Sequence, residues 1–284
     1  MRTNHFLNAA LVGVLFLGLV AFGPASASAA TMWNQQALLL AHIPLGGGQF
    51  FTSNYVFTAT ENATTINVKC FNDNGNRIGP LPGINIAFSA QSQLAQHTPT
   101  TLGVASDPLF SSGTGWCWAS SPGAAFDFNV QATFGVTTDL TVGGVLNSSG
   151  ASFIGTTTGL AETGNGNGGV PFWTTSGGAQ HFLVLVNPLT AGGAVNLRLF
   201  DSGGVAQGTG TLARTLNARS LLALSVPSGF GLPTPPTTGS IRITGGGGDY
   251  LGWYLQVFPN GRAILAPVGL DADGTTLLPL AAAP

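Results

Sequence analysis

The chain has 284 residues and a formal net charge of −2, and only 6% of its residues are charged, against about 25% in ordinary soluble domains. So few cations, spread so widely along the sequence, disfavour the extended basic surface that a nucleic-acid partner needs. A hydrophobic content of 44% with 18 Phe and five Trp also excludes simple disorder, although Gly and Pro supply 42 and 17 residues.

In chain order, the first element is a leader. Arg2 precedes an apolar run over 6–22, then Pro24 and the small residues 25–30 with an Ala27-Ser28-Ala29 cleavage pattern, which predicts a secretory signal peptide over 1–30. Its removal takes away Arg2 and leaves seven basic residues against ten acidic ones, a formal charge of −3 on about 254 residues. The C-terminal stretch TTLLPLAAAP holds no second apolar span followed by charges. No membrane span is therefore expected in the mature chain.

Beyond the leader, helical spacing of apolar residues is never sustained for three turns, and Gly or Pro interrupts most candidates. Strand patterns are frequent: 54–59, 66–70, 126–133, 181–186, 195–199, 221–226, 240–244 and 253–258, separated by turn clusters. One segment occurs twice. INVKCFNDNGNRIG (66–79) aligns without a gap on VNLRLFDSGGVAQG (195–208), pairing Val68 with Leu197, Cys70 with Leu199 and Gly75 with Gly204. The alignment extends outward, matching Ile43-Pro44-Leu45 with Val170-Pro171-Phe172 and Gly115-Trp116-Cys117-Trp118 with Gly252-Trp253-Tyr254-Leu255. The expected organisation is a first sandwich over 31–142, a Gly/Ser/Thr/Asn-rich linker or loop over 143–169, and a second sandwich over 170–284.

In the second copy, LVLVNP, VNLRLFDSGG and GWYLQV in succession resemble the tandem immunoglobulin-like β-sandwich repeats of bacterial secreted and cell-surface proteins, over most of the mature chain. The resemblance implies an all-β fold of two tandem immunoglobulin-like antiparallel β-sandwich domains and a structural or adhesive role.

Cys70 and Cys117 are the only cysteines, and a single pair in an exported chain favours an internal disulfide. One geometric conflict stands against it. Cys70 shares the inward face of Ile66 and Val68, whereas the alignment puts Cys117 at Tyr254, on the face opposite Trp253 and Leu255. Three resolutions are open: the alignment slips at GWCW, the bond lies elsewhere than across a core, or the thiols are free.

Other sites are weighed by their chemistry. Trp116, Trp118, Trp173 and Trp253 are candidates for stacking on sugar rings, against the plainer reading that they fill cores. Asn72-Asp73-Asn74-Gly75-Asn76 and Asp271-Ala272-Asp273-Gly274 have the oxygen spacing of a cation loop but no closing Glu, and read better as hairpin turns. Asn62 and Asn147 head glycosylation sequons by pattern alone. The histidines after the leader, His42, His97 and His181, occupy unrelated places, and no nucleophile elbow or paired carboxylates stand out. No cofactor, metal or catalytic residue is assigned, and no enzyme activity is expected.

Lys69 is the only lysine, so the charge that usually guards sheet edges is missing. The expected protein is secreted, extracellular or on the cell surface, with the periplasm as an alternative. It is expected to be non-enzymatic and to associate with itself or other surface components into a fibre, sheath or surface layer. The alternative is a soluble binding module for carbohydrate or a protein partner.

Overall fold

Apolar residues recur at every second position or in short unbroken runs, and Gly, Pro and Asn clusters end each run before a helix could propagate. The computed structural model describes residues 35–59, 63–121, 128–137, 153–155, 167–208, 210–245, 250–257 and 263–271. In them the chain is antiparallel β structure. The strands are β1 (Gln35–Gly46), β2 (Gln49–Ala59), β3 (Thr64–Asn72), β4 (Arg77–Ile78), β5 (Ile84–Phe88), β6 (Gln93–His97), β7 (Thr114–Ser120), β8 (Phe128–Thr137) and β9 (Phe153–Gly155). There follow β10 (Asn167–Thr174), β11 (Gln180–Val186), β12 (Gly193–Asp201), β13 (Leu212–Leu216), β14 (Leu221–Val226), β15 (Thr238–Gly245), β16 (Leu251–Val257), β17 (Ala263–Pro267) and β18 (Gly269–Asp271). Each strand expected from the sequence falls in or overlaps one of these. The leader and most of 143–169 lie outside the described residues, but the expected linker contributes β9, which pairs with β8.

In the first half β3 lies between β7 on one side and β5 and β4 on the other. The early part of β1 continues that sheet by pairing with β7. At His42 β1 changes partner and joins β2, which also holds β6 and β8. The backbone freed at this switch is satisfied by side chains: Ala41 N donates to Ser53 Oγ at 3.0 Å, and the Thr52 hydroxyl donates to Ala41 O at 3.2 Å. In the second half β12 lies between β15 and β13, and β15 pairs with β10. There β11 lies between β14 and β16, with β17 beyond.

The twice-written segment has one register in both places. Ile66, Asn67 and Val68 face Ile86, Asn85 and Ile84, and Val195, Asn196 and Leu197 face Arg214, Ala213 and Leu212. Val68 and Leu197 are both buried. The turns agree bond by bond. Asn72 Oδ1 accepts from the backbone N of Asn74 and Asn76 at 3.1 and 2.9 Å, and Asp201 Oδ1 accepts from Gly203 and Val205 N, both at 2.9 Å. Gly75 and Gly204 carry φ of 83° and 79°, which glycine adopts without a Cβ penalty.

Register corrects two of the outward alignments. Cys70 faces Cys117 while Leu199 faces Ile241, so 115–118 corresponds to Gly239-Ser240-Ile241-Arg242. GWYL (252–255) lies instead in β16, which pairs with β11 as β8 pairs with β2. The shared glycine has a physical cause: a Cβ at Gly115 would run into the Phe71 carbonyl, and one at Gly239 into the Phe200 carbonyl. Similarly, Val170 and Trp173 face Ile241 and Gly239 where Leu38 and Leu40 face Cys117 and Gly115. Val170-Pro171-Phe172 therefore corresponds to the early part of β1 and not to Ile43-Pro44-Leu45. A bulge after Val170 leaves Phe172 62% exposed.

Among the described residues the apolar side chains form two clusters, and β11 serves both. Leu183 and Leu185 pack with Val195, Leu197, Leu199, Ile241 and Ile243. Val184 and Val186, with Leu251 and Trp253 of β16, belong to the cluster that holds the core of the first half. This explains a contrast in the sequence. VNLRL in β12 alternates because one of its faces is exposed, whereas LVLV in β11 is continuously apolar because both are covered. β7 is covered in the same way, with Cys117 and Ala119 on one face and Trp116 and Trp118 on the other.

Candidate functional site

Cys70 and Cys117 form a disulfide. They are directly opposed on neighbouring strands of one sheet, their Cα atoms 4.0 Å apart, so the bond lies along a sheet and not across the core. In an immunoglobulin domain the corresponding bond joins the two sheets. The face conflict disappears with the corrected alignment, because Cys117 now matches the buried Ile241.

The four tryptophans do not form a platform. Trp116, Trp173 and Trp253 are buried, and Trp173 lies in a different apolar cluster from the other three. Trp118 keeps some exposed surface and meets Trp116 edge to face at 5.9 Å between centroids. Burial withdraws the ring faces of Trp116, Trp173 and Trp253 from any ligand in this conformation, leaving Trp118 as the accessible one of the four.

The Asn72–Asn76 loop spends its best oxygen on its own turn: Asn72 Oδ1 holds two backbone N–H groups, and its Nδ2 donates to Leu109 O at 2.7 Å. Asp271 ends β18, and 272–274 lie outside the described residues, as do Asn62 and Asn147. Among the described residues no three His, Cys, Asp or Glu side chains come together as a metal site. The histidines are separate: His42 stacks on Phe50, His97 lies edge to face with Phe57, and His181 Nδ1 meets the Tyr254 hydroxyl at 2.6 Å. Burial pushes the pKa of all three imidazoles down, and that of the Tyr254 hydroxyl up.

Polar and aromatic groups do converge where the halves meet. Phe71 stacks on Trp116 with centroids 5.0 Å apart. The Trp116 indole Nε1 donates to Arg219 O at 2.7 Å, Leu221 N donates to Asp73 O at 2.9 Å, and Arg219 N donates to Leu189 O at 3.0 Å. These bonds hold Arg219 at φ 56°, the left-handed region that few non-glycine residues occupy. The guanidinium carbons of Arg77 and Arg219 lie 5.5 and 5.1 Å from the Phe71 ring centroid. Arg77 also donates to the carbonyls of Cys70, Pro80 and Pro82. Arg77 and Arg219 lie far apart in the sequence, and no local pattern marks this cluster. Arg77 aligns with Ala206, so the repeat offers no sign of it.

Strand edges are the other exposed feature. Among the described residues β5 pairs only with β3 and β14 only with β11, and neither INIAF nor LLALSV contains a charge. Asn85, Ala87 and Ala223 on these strands are exposed. No family model, curated protein or solved structure matches the chain.

Proposed function

We propose that this chain is an exported structural or adhesive protein that assembles with copies of itself into a fibre, sheath or surface layer. In this reading it consists of two tandem immunoglobulin-like β-sandwiches behind a cleaved leader over 1–30. The shared registers and turns of the two segments favour duplication, and the buried Cys70–Cys117 bond favours an oxidising compartment. The observation that carries the assembly is that β5 and β14, both uncharged and partly exposed, each have a single strand partner among the described residues. A free edge offers a row of backbone donors and acceptors to another chain, and soluble proteins usually block it with lysine, proline or a cover. Here the only lysine, Lys69, lies in β3, which is paired on both sides.

Static light scattering of the mature protein over a concentration series tests the proposal. Mass rising steadily with concentration is expected; a constant monomer mass at high concentration rejects it.

A further inference from the structure

We propose that Arg77 and Arg219, both held against the Phe71 ring at the meeting of the two halves, form a binding site for an oxyanion, a phosphate, sulfate or carboxylate group presented at the surface. This does not depend on the assembly proposal, because it concerns turns and loops and not strand edges.

The geometry concentrates positive charge. Phe71 has two faces, and Trp116 is stacked parallel on one of them, with an interplanar angle of 25°. Both guanidinium carbons lie within 5.5 Å of the ring centroid, so the two cations gather around one aromatic side chain. Burial pushes Arg77 downward from its ordinary pKa, and the charge of Arg219 nearby adds to the push in a smaller measure. Among the described residues no carboxylate lies within ion-pair distance of either group. The nearest acid in sequence, Asp73, accepts from Asn74 Nδ2 through Oδ1 and is tied to Leu221 through its backbone carbonyl. In a chain with seven basic residues beyond its leader, two lie against one ring with no counter-charge among the described residues.

The two cations have different duties. Arg77 is anchored by three carbonyls and forms the fixed wall. Arg219 is exposed; among the described residues the hydrogen bonds that position it run through its backbone N and O, which leaves its side-chain donors for a ligand. Its left-handed φ is maintained by bonds to Leu189 and Trp116, and strain of this kind gathers at ligand clamps. Guanidinium forks bind planar and tetrahedral oxyanions through paired N–H donors. The surroundings suit an oxyanion attached to a larger body. Leu81, between the two prolines that hold Arg77, is 78% exposed, and Leu109 and Leu189, on segments bonded to Asn72 and Arg219, are 50% and 42% exposed.

The test is titration of the mature protein with inorganic phosphate and with sulfate against a constant chloride background, read by calorimetry and by tryptophan fluorescence. Trp116 reports directly, since it touches both Phe71 and the Arg219 carbonyl. Saturable binding is expected, weakened about tenfold or more in Arg219→Asn, the loss of one charge-assisted hydrogen-bonding partner. Asn tolerates the left-handed backbone, and an unchanged melting curve verifies the fold. If that variant does not fold, Arg219→Lys serves, and a several-fold weakening is expected because a point charge replaces the fork. No binding beyond that of chloride, or equal binding by wild type and folded variant, overturns the proposal. Oligomers of an acidic sugar and vesicles of an anionic lipid then identify the carrier, whichever competes with phosphate in an Arg219-dependent manner.

Discussion

The β3–β7 pair and the β12–β15 pair solve the same packing problem by different chemistry. In the first, Cys70 and Cys117 stand opposite one another and are bonded; in the second the same two places hold Leu199 and Ile241, both buried. The neighbouring positions also diverge, Trp116 and Trp118 facing Ser240 and Arg242 across the comparison. The register, the close-approach glycine and the turn are retained throughout. The backbone design therefore sets the slot, and the slot accepts either a covalent tie or a pair of aliphatic side chains. The aromatic residues of β7 have a separate cause, because they cover a sheet face that the second half closes, whereas Arg242 in β15 is exposed.

Removing the tie should produce the largest difference between the halves. Cys70→Ala with Cys117→Ala should lower unfolding stability by about 4 kcal/mol on the chain-entropy account for a sequence separation of 47, with a further loss from the vacated volume. Cys70→Leu with Cys117→Ile, which copies the second half, should recover the packing part and lose only the cross-link. Urea denaturation of the three proteins checks this, and equal losses in both variants would break the comparison. Next come the paired glycines. Gly115→Ala and Gly239→Ala should each lose about 1–3 kcal/mol by overpacking against a backbone carbonyl, and a marked loss at only one of them would show that the two strands are not in corresponding places.

A smaller pair of effects belongs to the turns. Asn72→Ala and Asp201→Ala each remove a side-chain oxygen that accepts two backbone N–H groups, and about 1 kcal/mol is expected from each. Each side chain also holds one further partner, Leu109 O for Asn72 Nδ2 and Gln207 Nε2 for Asp201 Oδ2, and the Asn72 change should be the larger because Asn72 is buried while Asp201 is partly exposed. The mildest effect is on pH dependence. His42, His97 and His181 have folded pKa values below the ordinary 6.5, so the unfolded chain binds more protons under mild acid. Stability should be fully present above about pH 6.5 and decline as pH falls through the lowered folded values. His97→Gln and His181→Gln should each flatten melting-temperature profiles between pH 7 and 5; steeper profiles would reverse the sign argued here.

What could be read from the sequence follows from locality. VNLRL and INVKC announce strands because one face meets solvent, and NDNGN and DSGG announce turns because their oxygens and glycines act within a few residues. The Cys70–Cys117 bond could be expected from count and compartment, but its position within a sheet required the register. Gly252 misplaced the GWCW alignment because a Gly-Trp pair in β16 imitates one in β7, while the true counterpart of Trp116 is Ser240. The dual burial of β11 and β7 is visible in hindsight as unbroken apolar runs, yet such runs do not say what covers them. The Phe71, Arg77 and Arg219 cluster depends on contacts between distant segments, which no local pattern encodes.

Assembly through neutral edges is tested most directly by placing charge on them. Ala87→Lys in β5 and Ala223→Lys in β14 introduce lysine at exposed positions of the two edge strands, and electron microscopy beside sedimentation velocity compares the doubly substituted protein with the wild type. Ordered wild-type assemblies that the substitutions disperse to folded monomers are the predicted result. A wild-type protein that stays monomeric, or assemblies indifferent to both lysines, would contradict it.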